Sequence, residues 1–260
     1  MADKHGDFVW YELMTPDPDA AQSFYGGLLG WSFEEAGFNG QDYRSFSAGD
    51  AQVGGFLKLT GQMAEHGGRP SWVGYVRVDD VPAAVGKVRD AGGHVFMEGG
   101  EVPDVGPFAM LADPEGAPFY VIDDRSGQPS LAFAKHAPRQ GCCAWNELLA
   151  ADPDAADRFY TTLFGWQKGE ALDMGEMGLY QMYTQDDYGL GAIMKRPAEM
   201  PASFWAFYFR VPEIDAAKTF VEGNGGQVVN GPMEIPGGEY VLQGVDPQGA
   251  FFSIIGPRES

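Results

Sequence analysis

Apolar positions in this chain fall into two alternating rhythms. Residues 8–14 form an apolar and aromatic run interrupted only by Glu12, which predicts a strand. Asp17-Pro18-Asp19 follows. The Asp17 carboxylate suits an N-cap, because it accepts orphan N–H groups of a first helical turn. Pro18 loses no hydrogen bond at the first helical position, and Asp19 sits well near the positive end of the helix dipole. Phe24 and Leu28, four apart, share one face of that helix, and Gly30 ends it. Strand-like stretches follow at 31–36, 42–48 and 52–59. The order then restarts: a strand at 71–78, a helix at 82–91 closed by Gly92-Gly93, and strands near 94–102, 108–112 and 117–122. The last is entered through Asp113-Pro114-Glu115-Gly116, a turn of type I chemistry. The pattern is βαβββ, twice.

The whole pattern then repeats. Residues 10–31 read WYELMTPDPDAAQSFYGGLLGW and residues 145–166 read WNELLAADPDAADRFYTTLFGW, with 13 of 22 positions identical at an offset of 135. Trp72 to Val78 is answered by Trp205 to Val211, and Asp113-Pro114-Glu115-Gly116-Ala117 by Asp246-Pro247-Gln248-Gly249-Ala250. Duplication accounts for the full length. The expected organisation is α+β, with four βαβββ units in two domains, 1–126 and 141–260. They are joined by a linker, 127–140, whose Gly127, Pro129 and Pro138 have linker composition.

Charge narrows the partners. With 17 Lys and Arg against 37 Asp and Glu, the net charge is −20. That disfavours nucleic acid and anionic membrane surfaces. No apolar run approaches membrane-spanning length. Residues 1–7 have no apolar segment of the kind a secretory leader needs, so a cytoplasmic protein is expected. Cys142 and Cys143 are adjacent, where a disulfide would be strained, and they read as inert thiols. Glycine-rich turns lack the strand–GxGxxG–helix setting of a dinucleotide site, and no nucleophile elbow is present.

The strand, the Asp-x-Asp-x-x-x-x-Phe-Tyr helix and the Leu-Gly-Trp or Phe-Gly-Trp that follows resemble the vicinal oxygen chelate superfamily. That group includes glyoxalase I, extradiol dioxygenases and bleomycin-resistance proteins. The tandem form looks most like the two-domain actinobacterial glyoxalase-like proteins, including the mycobacterial culture-filtrate antigen group. The resemblance implies two open cups, each lined by two βαβββ units. In metal-binding members it implies ligands on the first strand of each unit, on the last strand and late on the fourth. Carried onto this chain, those positions are Trp10, Val73, Tyr120 and Lys58 in the first copy, and Trp145, Ala206, Ser253 and Lys195 in the second. Indole, alkyl, hydroxyl and ammonium groups are not a divalent-metal donor set. His5, His66, His94 and His136 are the only histidines, so the second copy has no imidazole. Neither metal nor cofactor is expected.

Side chains alternate along strands. If Trp10 faces the cup, so do Glu12 and Met14, and likewise Val73, Tyr75 and Arg77; the second copy offers Trp145, Glu147, Tyr208, Arg210 and Lys195. The candidate ligand-binding set is Trp10, Tyr43, Lys58, Tyr75, Arg77, Tyr120, Trp145, Tyr180, Lys195, Tyr208 and Arg210. Glu12 and Glu147 are the candidate bases, on the hypothesis that a Glu–Lys or Glu–Arg pair replaces the metal. Plain core or rim roles for each residue stand beside this reading. The resulting expectation is a small organic ligand in a metal-free aromatic cup. The alternative is a glyoxalase-like lyase or isomerase, or a cofactor-free oxygenase acting on a reactive carbonyl or secondary metabolite. A third reading is an interaction protein that offers surface only. Both a monomeric pseudo-dimer and a homodimer fit the duplication.

Overall fold

The structure, a computed structural model, describes residues 3–37 and 40–259. The first repeat runs β1 (Phe8–Thr15), α1 (Pro18–Leu29), β2 (Ser32–Glu35), β3 (Tyr43–Ala48), β4 (Ala51–Lys58), α2 (Gly61–Glu65), β5 (Ser71–Arg77), α3 (Val81–Asp90), β6 (His94–Val102), β7 (Gly106–Ala112) and β8 (Pro118–Ile122). The second runs β9 (Cys143–Ala150), α4 (Pro153–Phe164), β10 (Gln167–Asp173), β11 (Leu179–Gln185), β12 (Tyr188–Lys195), β13 (Phe204–Arg210), α5 (Ile214–Gly223), β14 (Gln227–Glu234), β15 (Tyr240–Val245) and β16 (Phe251–Gly256). The strands order as β2-β3-β4-β1-β5-β8-β7-β6 and β10-β11-β12-β9-β13-β16-β15-β14. Both eight-stranded sheets are mixed, with β1 and β9 parallel to β4 and β12, as an α+β fold of four βαβββ units requires. No described helix is long and apolar enough to cross a membrane.

Local chemistry sets the helix ends. Asp17 caps α1 by accepting from the Ala20 N–H, and Asp152 caps α4 in the same way from Ala155. Both helices stop at a left-handed glycine, Gly30 and Gly165, a conformation that costs glycine little. The short helix α2 is an addition to the sequence reading. It is nucleated by the Thr60 hydroxyl, which accepts from the Met63 N–H, in a stretch whose polar and glycine content reads as loop.

Two compact units emerge. One comprises Met1–Val9, Gly74–Ser130 and Trp145–Trp205; the other comprises Trp10–Val73, Leu131–Ala144 and Ala206–Ser260. Each unit draws on both repeats. In the second unit Tyr11 packs edge-on against Phe207 and Phe209, and Trp31 stacks on Phe46 with ring centroids 4.0 Å apart. In the first, Phe119 meets Tyr160 and Phe164, and Phe8 meets Trp205. Within the stretch read as linker, Ala132 and Phe133 are buried, and the Ala132 carbonyl and Ala134 N–H bracket Cys143 through backbone hydrogen bonds. Cys142 and Cys143 are buried and unbridged, and burial pushes the Cys142 thiol up to about 11, against the pull of Arg139. Burial and the raised pKa both disfavour the thiolate, the reactive form. His5 is less incidental than its place in the tail suggests. Its Nε2 lies 3.0 Å from the Leu163 carbonyl oxygen and its Nδ1 accepts from the Asp79 N–H.

One buried relay occurs in each unit. The Trp72 indole N–H donates to the Tyr25 hydroxyl at 3.1 Å, which donates to Asp246 at 3.0 Å. Trp205, Tyr160 and Asp113 repeat this at 3.1 and 3.1 Å. Each aspartate also accepts two backbone N–H groups of its own turn, from Gln248 and Ala250 or from Glu115 and Ala117. These bonds restrain the carboxylates, yet burial wins and raises both above the ordinary range.

Tyr25→Phe or Tyr160→Phe strands both an indole N–H and a buried carboxylate, so each is expected to cost about 3 kcal/mol in denaturant unfolding. The aspartates also carry a pH signature. Their native-state affinity for the proton exceeds that of the unfolded chain, whose carboxyls titrate near 3.8. Their contribution is thus complete below that pH and is lost as pH rises through the native value. In urea titrations at a series of pH values, wild type should gain on Asp246→Asn as the pH falls from 7 towards 4. A wild type that loses stability relative to Asp246→Asn on acidification contradicts this.

Candidate functional site

Glu12 lies on β1 directly opposite Gly55 of β4. A Cβ at Gly55 would sit 2.2 Å from the Tyr43 hydroxyl. The bare backbone there is what lets the Tyr43 ring, rooted on β3, reach across β4 to β1. The Tyr43 hydroxyl accepts from Trp10 Nε1 at 2.9 Å and hydrogen-bonds to Glu12. Burial first, and the Glu12 charge second, hold that hydroxyl well above the usual tyrosine value. It stays protonated and donates to the carboxylate. The other unit builds the same trio: Trp145 Nε1 donates to Tyr180 Oη at 2.7 Å, which donates to Glu147 Oε2 at 2.8 Å. Both glutamates are buried, at 2% and 5% exposure, while both indoles are half-buried. An indole, a phenol and a carboxylate predicted separately thus form one hydrogen-bonded unit, made twice.

The lysines do not join it. Directly paired residues of neighbouring strands project to the same face. Since Glu12 pairs with Gly55 and Thr15 with Lys58, Lys58 projects to the face opposite Glu12. The pairings Glu147 with Ala192 and Ala150 with Lys195 give the same result in the second repeat. Lys58 is half-exposed and 4.0 Å from Asp42, and Lys195 is exposed. The Glu–Lys pair expected from the sequence is therefore corrected: the parity of β4 and β12 separates its members. The arginines are engaged elsewhere. Arg77 binds Asp79 at 2.7 Å, and Arg210 binds Glu239 through both terminal nitrogens.

The remaining candidates lie further along. Tyr75 and Tyr120, paired on β5 and β8, stack with centroids 4.2 Å apart and planes 10° apart. Tyr208, paired with Ser253, accepts from Gln243 at 2.7 Å. Sequence reasoning missed Gln243 and Asn230, whose strands have no motif. Their signal is the alternation of β15 and β14 relative to Ser253.

The residues present do not fit the metal that many members of this fold hold. At its ligand positions stand Trp10, Val73 and Tyr120, and Trp145, Ala206 and Ser253; indole and alkyl groups donate no lone pair to a divalent ion. Among the described residues no group of three His, Cys, Asp or Glu side chains is placed to hold a metal.

Comparison with known proteins bears on the family and the fold. Residues 10–122 match the Glyoxalase-like domain, and residues 143–254 match the Glyoxalase/Bleomycin resistance protein/Dioxygenase superfamily. The protein named "Putative glyoxylase CFP32" from Mycobacterium tuberculosis is 31% identical over 258 residues, covering 98% of this chain and 96% of the relative. The anthracycline biosynthesis protein DnrV of Streptomyces peucetius is 31% identical over 271 residues, covering 96% and 93%. Among solved structures, a Mn(II)-bound glyoxalase from Novosphingobium aromaticivorans aligns with a TM-score of 0.62 at 18% identity, covering 98% of this chain and 82% of that one. A catechol 2,3-dioxygenase aligns at 0.63 and 14%, covering 99% and 96%. At such identities the two structures speak for the fold alone. The full-length relatives, the two family matches and the four βαβββ units agree that the chain belongs to the glyoxalase/bleomycin resistance/dioxygenase group, the vicinal oxygen chelate superfamily, as a tandem pair of glyoxalase-like domains.

Proposed function

We propose that the protein binds a small organic molecule without a metal, and that its polar anchors are the carboxylates of Glu12 and Glu147. The observation that carries this reading is the duplicated Trp–Tyr–Glu trio. A buried carboxylate costs folding energy unless it is hydrogen-bonded, and here it is held by a tyrosine that is itself held by an indole. Such a constellation fixes one carboxylate oxygen and its orientation. It suits a ligand with an aromatic or alkyl body and a hydroxyl or amine donor, the usual balance of small-molecule sites. The compound class is an organic metabolite rather than a macromolecule. The protein is expected to work in the cytoplasm, as a monomeric pseudo-dimer or a homodimer.

A second reading is catalytic, and the names of the relatives favour it: one is called a glyoxylase and another an anthracycline biosynthesis protein. In that reading a glutamate takes a proton beside a carbonyl, as a glyoxalase-like lyase or isomerase or a cofactor-free oxygenase would require. The tyrosine bond stabilises the carboxylate and so weakens it as a base, which is why binding stands first.

Native mass spectrometry of freshly purified protein, with elemental analysis, is expected to find an organic adduct and no stoichiometric transition metal. One transition-metal ion per domain, removable together with the adduct by chelator, overturns the reading. Glu147→Gln and Glu12→Gln keep the shape but remove the charge. In the same measurement at least one of them should lower adduct occupancy about tenfold, the effect of one charge-assisted hydrogen bond. Methylglyoxal turnover that survives chelator and disappears in both variants would instead establish the catalytic reading.

A further inference from the structure

The two repeats differ in one line of side chains. In the second repeat Tyr208 of β13, Ser253 of β16, Gln243 of β15 and Asn230 of β14 are successive cross-strand partners, so they share a face. Phe252 and Phe209, on either side of Ser253 and Tyr208 in sequence, pack into the aromatic core against Phe24 and Trp72. The line therefore occupies the opposite face. It is polar throughout. Gln243 donates to the Tyr208 hydroxyl at 2.7 Å and accepts from Asn230 at 3.3 Å. It also grades from the interior to solvent: Ser253 is fully buried, Gln243 half-buried and Asn230 exposed.

Each of these residues lies 133 positions after a counterpart: Tyr75, Tyr120, Met110 and Met97. These too are cross-strand partners. There the Tyr120 ring stacks on Tyr75, and the two methionines continue an apolar line. Where the first repeat has a phenol ring, the second has a hydroxymethyl group. The Ser253 hydroxyl is buried and has no hydrogen-bond partner among the described residues. A buried hydroxyl in that condition costs free energy unless something else meets it.

We infer that the second repeat holds a ligand subsite at Ser253 that takes a carbonyl oxygen of a small organic molecule, and that Tyr120 plugs the equivalent place in the first. This rests on the small-molecule reading above and sharpens it, by naming one subsite and the group it recognises. The Ser253 O–H donates to the ligand oxygen. Gln243 and Tyr208, already bonded to each other, wall the place and resist an apolar substituent.

A pair of probes tests it. The ketone 2-acetylnaphthalene and its oxygen-free analogue 2-ethylnaphthalene are titrated into the full-length protein and followed by calorimetry. Wild type is expected to bind the ketone at one per chain, about tenfold tighter than the hydrocarbon. Ser253→Ala, a change of one oxygen, should abolish that preference and leave the hydrocarbon affinity unchanged. Tyr120→Ser should create a second ketone site, giving two per chain, and Ser253→Tyr should abolish the first; circular dichroism checks that each variant is folded. Ketone preference that survives Ser253→Ala overturns the inference while leaving the small-molecule reading intact. Binding of neither probe to wild type overturns both. A subsite that serves only a buried water predicts no ketone preference, and that result also counts against the inference.

Discussion

Each unit depends on a tyrosine hydroxyl placed between an indole and a buried aspartate. The tyrosine comes from the Phe-Tyr of a first helix, the indole from the opening of a fifth-strand equivalent, and the aspartate from the Asp-Pro turn of the other repeat. Every polar atom in this relay is deep inside an aromatic cluster, where a missing partner is expensive. The motif residues that make the repeats recognisable are therefore the residues that tie the two repeats together within one unit. These motif residues serve the fold, which is why the signature says little about chemistry.

The proposed ligand anchors lie on other elements, β1 with β3 and β9 with β11. The Trp–Tyr–Glu trio uses the same logic as the relay, an indole N–H to a phenol to a carboxylate, between β1 and β3 and between β9 and β11. The difference lies in what surrounds the acid. Asp113 and Asp246 are locked by two backbone N–H groups each as well as by tyrosine. The glutamates sit mid-strand, on β1 and β9. A carboxylate reached by a phenol from another strand is positioned by the sheet, whereas each aspartate is positioned by its own turn.

Most of the fold was legible because its signals are local. Asp17 and Asp152 as caps, Gly30 and Gly165 as stops, and the Asp-Pro turns each act within four residues, and the duplication made every such signal appear twice. The trio was half legible: strand alternation put Trp10 and Glu12 on one face, but the bond through Tyr43 depends on Gly55 leaving room across β4. The Lys58 assignment failed for a related reason. Parity counted along β1 does not transfer to β4 until the register is known, and a shift of one residue moves a side chain to the other face. The interlocking of repeats inside each compact unit is a matter of long-range packing that no local pattern encodes.

Duplication also allows one repeat to carry a polar line where the sister repeat has an apolar one. In a single-copy protein, replacing a stacked Tyr120 by serine would lose aromatic contact and expose a hydroxyl to a dry face, two costs with no return. With two copies, one can keep the stacked, methionine-backed line while the other accumulates compatible polar partners. Gln243 is useful only beside Tyr208, and Asn230 only beside Gln243. Their stepwise hydrogen bonding satisfies each new polar group except the innermost, Ser253, where the line ends. A chain of satisfied donors and acceptors that terminates on one unsatisfied hydroxyl is better explained by recognition than by stability, since a methyl group there would serve stability better.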